Sequence, residues 1–438
     1  MSKKIRLRII LGVAALSISA GLLLVSPLPK ARGQQSVTVN PSNARGTAIV
    51  AATAIVLKET SEIRQLPIMR PVKSGAQSRE EIERMIIKNM NEETTPEEMR
   101  ASELALKKLG LVPANFQFRP FLVKLLTEQV AGYYDPKAQQ FYLADWIDLD
   151  GQKPVMSHEL THALQDQHFN LRRFEKWPKG DSDAEIAAHA LIEGDASYVM
   201  MLYVERNPLR ALAFLKSMSQ SGGSELMDHA PRALRDSLLF PYEQGLKWVA
   251  EIHRRGGWAQ VSKAFTDLPQ STEQILHVEK YLAREAPLKI TLPDFSAALG
   301  GGWKRIDYDV NGEWSYYLIL DEFLKSDVDS ERAAAGWAGD RYAVYEGPNA
   351  GDLLLVQRTA WDTEKDAQEF FDAYAKRTAR RYAGATEVST AGGTPLTRRV
   401  WHTGEGDVVI ERRASSVVIA EGVQEKMNTK ALFEAMWK

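Results

Sequence analysis

Residues 155–168 read Val-Met-Ser-His-Glu-Leu-Thr-His-Ala-Leu-Gln-Asp-Gln-His, an apolar helical run that carries His158, Glu159 and His162. Val155, Met156, Leu160, Ala163 and Leu164 give this run the spacing of a core helix, so it must pack against partners while housing five ionisable groups. His158 and His162 are four residues apart, which puts both rings on one face, a turn from each other. That spacing lets both imidazoles ligate one Zn²⁺ at about 2.0–2.1 Å. Glu159 projects beside such an ion, where it can take a proton from a zinc-bound water whose pKa has fallen to about 7. One turn of helix thus supplies an attacking group and its base.

A catalytic zinc site takes a third protein ligand and leaves its fourth position to water. A second long helical pattern, residues 183–206, contains Ala190-Leu-Ile-Glu193-Gly194-Asp195-Ala196, and its small residues Ala184, Ala187, Ala188 and Ala190 allow close approach to the first helix. Glu193 is the best-placed ligand. Glu185 and His189 lie on nearly the same face one or two turns earlier, whereas Asp166 and His168 lie too far round or along the first helix. Asp195 or Asp166 can accept a ring N–H from a ligand histidine and fix its tautomer.

His-Glu-Leu-Thr-His followed by Leu-Ile-Glu-Gly-x-Ala resembles the gluzincin branch of zinc metallopeptidases. The resemblance implies His158, His162 and Glu193 as zinc ligands and Glu159 as catalytic base. The interval between His162 and Glu193 is longer than in thermolysin-like enzymes, with a loop around Trp177-Pro178-Lys179-Gly180 taking up the excess. Further segments, among them Gly132-Tyr-Tyr-Asp-Pro136, Phe240-Pro-Tyr-Glu-Gln-Gly245 and Ala335-Gly-Trp-Ala-Gly-Asp340, resemble a group of exported bacterial proteins of this class. A zinc hydrolase also needs a donor for the oxyanion formed as water attacks. His277 is the first choice for that role, ahead of Tyr133, Tyr134 and Tyr242.

The amino terminus reads as an address. Lys3, Lys4, Arg6 and Arg8 precede an uncharged stretch from Ile9 to Pro29, and Ala31-Arg32-Gly33 offers a cleavage site before Gln34. An uncleaved anchor is the rival reading, since residues 9–26 nearly suffice to span a bilayer. Either places the rest of the chain outside the cytoplasm, periplasmic, secreted or anchored. The 438 residues contain no cysteine, which excludes disulfides, thiolate-bound metals and cysteine catalysis. Lys plus Arg number 55 against 57 Asp plus Glu, so no global charge draws the chain to nucleic acid.

The expected class is α+β. Residues 1–33 are the address and 34–76 a linker or pro-segment with little core of its own. Residues 77–285 form a mainly helical zincin-like metallopeptidase domain with a small β-hairpin, and 286–438 a smaller α+β accessory domain. Helices are expected at 78–92, 95–109, 118–130, 363–382 and 429–437, a hairpin at 131–143, and short strands at 342–346, 353–358, 408–412 and 416–421. The expected activity is hydrolysis of a peptide or protein substrate with Zn²⁺, a hairpin edge pairing with the substrate backbone. The alternative is a metal-bound, inactive scaffold of the cell envelope.

Overall fold

The computed structural model describes residues 41–438 except 147, 178–179, 222–224 and 389–396. The address at 1–33, the proposed terminus Gln34, the pair Gly222-Gly223 and the Pro178-Lys179 part of the long loop lie outside the described residues.

Helix α1 (Pro41–Arg64) places Ile49, Ala52, Val56 and Ile63 on one stripe, at helical intervals of three, four and seven. These residues share a core with Met156, Leu160 and Leu164. The expectation that residues 34–76 have little core of their own is therefore corrected. Strand β1 (Lys73–Gln77) is ordered too, pairing in parallel with the second strand of the hairpin formed by β2 (Gly132–Asp135) and β3 (Gln140–Ala144). The sheet order is β1-β3-β2, which leaves β2 at an edge.

Between these strands, α2 (Arg79–Glu93) and α3 (Pro96–Leu109) each open on a reciprocal capping box, Ser78 with Glu81 and Thr95 with Glu98. With α4 (Phe118–Gln129) they enclose Ile82, Ile86, Met90, Met99, Leu122 and Leu126. The central helices are α5 (Lys153–Phe169) and α6 (Ser182–Glu205). After α7 (Pro208–Ser221) and α8 (Glu225–Asp228) comes the long α9 (Arg232–Ala264), which breaks direction at Gly257, φ 61°. Helices α10 (Thr272–Leu276) and α11 (Val278–Leu282) close this half.

Helices α6 and α9 meet backbone to backbone. A Cβ on Gly194 would stand 2.2 Å from the carbonyl carbon of Gly245, and one on Gly245 would stand 2.1 Å from the Ala190 oxygen. Only glycine permits that approach.

The remaining elements are α12 (Ser296–Leu299), β4 (Lys304–Asp309), α13 (Gly312–Leu324), α14 (Asp327–Ala334), β5 (Trp337–Glu346), β6 (Leu353–Trp361), α15 (Glu364–Arg381), β7 (Thr386–Val388), β8 (Arg398–His402), β9 (Asp407–Arg413), β10 (Ser416–Val423) and α16 (Thr429–Met436). Seven strands form one antiparallel sheet in the order β4-β5-β6-β10-β9-β8-β7. Along β10, Val417 and Ile419 join Tyr316 and Phe370 on one face, while Val418 and Ala420 join Phe433 and Met436 on the other. A strand covered on both faces reads as an unbroken apolar run. The chain is α+β.

The sheet half grips the helical half through helix ends. Asp309, the last residue of β4, accepts the Ser182 N–H at 2.9 Å and its hydroxyl at 2.6 Å, at the start of α6. Asp183 in turn accepts the Thr272 hydroxyl at 2.6 Å, at the start of α10. Each carboxylate satisfies donors that a helix N-terminus leaves without intrahelical partners. No helix among the described residues is long and apolar enough to cross a membrane.

Candidate metal centre

Every α5 residue from Pro154 to Gln167 is buried, so no ionisable group within that span has bulk water to rely on. The two imidazoles and a carboxylate solve that jointly. His158 Nε2 lies 3.1 Å from Glu193 Oε2, His162 Nε2 lies 3.4 Å from the same oxygen, and the two ring nitrogens are 3.1 Å apart. Tetrahedral ligands about 2.0–2.1 Å from a zinc ion are spaced by about 3.3–3.4 Å. The three atoms thus form one face of such a tetrahedron with adjustments of only a few tenths of an ångström. Neither Glu185 nor His189 belongs to this group.

The three groups are electrostatically tied to one another. Burial depresses the His158 pKa, outweighing the favourable Glu193 carboxylate. At His162 burial acts the same way, but the charge of Glu193 overrides it and the pKa rises. Burial likewise resists ionisation of Glu193, yet the adjacent His162 holds its carboxyl well below the usual range. A second acidic group, Glu273, Glu285 and Asp362, is compact enough to hold an ion. Its cation is Lys280, whose Nζ lies 2.8 Å from Glu273 and 2.6 Å from Glu285.

Glu159 is fully buried and turned toward the hairpin, where Oε2 accepts the backbone N–H of Tyr134 at 3.0 Å. Tyr134 is held from its other end, its hydroxyl donating to Asp166 at 2.9 Å. Tyr242 on α9 stacks on the His158 ring, with centroids 6.0 Å apart and planes 23° from parallel. Burial, then the nearby Glu193 and Glu159 carboxylates, push its phenol well above the ordinary value, so it remains a proton donor.

His277, the expected oxyanion donor, is engaged by a carboxylate of its own. His277 caps the C-terminus of α10, where its Nε2 meets Glu313 Oε1 at 2.8 Å. Tyr242 is the ring that stacks beside the three clustered groups. Tyr133 is also diverted, its hydroxyl donating to Gln77 at 2.7 Å. Asp195 does not touch a ligand ring directly. Gln165 stands between, taking His162 Nδ1 at 2.8 Å on its oxygen and donating to Asp195 at 2.9 Å. Sequence reasoning missed Gln165 and also Arg64, which binds Asp195 at 2.6 Å. The sequence signal for Gln165 was its place three residues after His162, within reach of that ring.

A family model described as a domain of unknown function (DUF8575) matches residues 299–431. This span runs from the end of α12 into α16 and contains the whole seven-stranded sheet but none of the three clustered ligands. Neither the curated proteins nor the solved structures contain a match to the chain.

Proposed function

We propose that the chain is an exported zinc-dependent peptidase whose helical half has a zincin-like catalytic arrangement. The observation that carries this reading is the facing triad of His158, His162 and Glu193 with Glu159 one residue along the same turn. Zn²⁺ held there supplies Lewis acidity toward a carbonyl and lowers the pKa of a bound water. Glu159 receives the proton from the attacking water and later returns it to the leaving amine. The Tyr134 N–H gives that carboxylate a fixed hydrogen-bond partner. In this reading Tyr242, whose hydroxyl bonds to Glu193, turns that proton to the carbonyl oxygen as it gains charge. In this reading an extended peptide pairs with the hairpin, whose strand β2 lies at the edge of the three-stranded sheet. Export is supported by the basic-then-apolar amino terminus.

Metal analysis and peptide-library digestion of the purified protein test the proposal. About one zinc per chain, with hydrolysis abolished by Glu159→Gln, is the expected result. Zinc binding without cleavage of any peptide would instead favour the inactive scaffold.

A further inference from the structure

Helix α1 ends on a side chain with an unusual position. The Arg64 guanidinium is wholly buried, and its Nε donates to Asp195 Oδ1 at 2.6 Å. One terminal nitrogen donates to Ser262 at 3.1 Å, and the group lies over the Trp258 ring, 4.6 Å from its centroid. Asp195 passes this fixation on, because its other oxygen accepts from Gln165 Nε2 at 2.9 Å. The Gln165 amide also donates to the Ile192 carbonyl at 3.0 Å. With both acceptors on its nitrogen side, the amide can turn only its oxygen to His162 Nδ1, 2.8 Å away. That oxygen cannot donate, so Nδ1 carries a ring proton and Nε2, facing Glu193 and His158, is the nitrogen left to hold an ion. His158 Nδ1 has no hydrogen-bond partner among the described residues. The orientation of the ligand pair therefore rests on the His162 side.

We propose that Arg64 is a positioning residue of the metal centre, acting through Asp195 and Gln165 to fix the His162 ring. This rests on the metal site proposed above, and it makes α1 a working part of that site instead of a removable cover. Outer groups that orient a ligand histidine typically carry about 10–100-fold in metal affinity.

The test titrates Zn²⁺ into the purified full chain against a competing chelator, and records the visible spectrum of the Co²⁺-loaded protein. Arg64→Gln, Asp195→Asn and Gln165→Met are compared with wild type, with circular dichroism as the check on folding. Each folded variant is expected to bind Zn²⁺ roughly 10–100-fold more weakly and to show a shifted Co²⁺ spectrum. The double variant Arg64→Gln/Gln165→Met is expected to bind no more weakly than Gln165→Met alone, as one chain requires. Should Arg64→Gln not fold, Gln165→Met decides, because it leaves the arginine pair intact. Wild-type affinity and spectrum in folded Gln165→Met overturn the proposal while the metal site stands. A wild-type chain that takes up no zinc overturns the metal site itself.

Discussion

Tyr134 and Glu159 are joined through the backbone of one and the carboxylate of the other, the strand N–H donating to Oε2 at 3.0 Å. A glutamine at 159 can still accept that N–H through its own oxygen, but it cannot take up a proton. Glu159→Gln is therefore expected to keep its zinc and lose about 10²–10⁴-fold in kcat. Metal analysis beside steady-state kinetics checks both halves, and full activity in the variant would remove Glu159 from the mechanism.

Tyr242→Phe keeps the ring stacked on His158 and removes only the hydroxyl. A donor that acts mainly on the developing oxyanion should show itself in kcat, with a loss of about 10²-fold or more and KM little changed. His277→Ala is the comparison, and its kcat is expected to stay near wild type because that imidazole is engaged by Glu313. The reverse ranking would restore His277 to the site.

The contact of Gly194 with Gly245 predicts a large packing penalty. In Gly194→Ala the added carbon would lie 2.2 Å from the Gly245 carbonyl carbon, so α6 and α9 must separate. Destabilisation of about 3 kcal/mol or more is expected, read as a fall in denaturation midpoint. Gly404→Ala, where an added carbon meets nothing within 4 Å, serves as the neutral control.

Burial pushes the Glu273 carboxyl up to about 7, against the lowering effect of Lys280. A folded value above the ordinary one means that its contribution to stability is present in acid and is lost as pH rises through 7. Glu313, raised by burial, and His277, raised by its bond to Glu313, act in the same direction. The melting temperature of Glu273→Gln relative to wild type should therefore be higher at pH 8 than at pH 5.5, by roughly 2–6 °C. A pH-independent difference would show that Glu273 titrates normally.

Chelation provides a further check. An ion bound only by the folded state at about 1,000 times its dissociation constant adds about 4 kcal/mol. Wild type should lose thermal stability on chelation, whereas His162→Ala should melt at the same temperature with and without chelator.

The legible parts of the sequence were those with local signals. The helices starting at 78 and 95, the hairpin at 131–143 and the helical run around His158 each declare themselves within a few residues. Glu193 was legible because Gly194 and the alanines before it mark a close helix contact. Helix α1 was obscured by alanine and threonine, which give little contrast between its two faces. Strand β1, Lys-Ser-Gly-Ala-Gln, has almost no β preference and is held by its parallel pairing with β3. Placing Tyr242 beside His158 required knowing which segment crosses α6. Gly245, three residues after Tyr242, was the available sign, and its meaning depends on facing Gly194.

Asp309 gives the sheet half a hold on the metal centre without touching it. Its carboxylate pins the first residue of the helix that carries Glu193, roughly three turns upstream of that ligand. A fragment ending near residue 285 would leave the head of α6 frayed and the reach of Glu193 unregulated. On the proposed reading the matched C-terminal region acts as a buttress, and trimming it away should weaken zinc binding before it costs helix content.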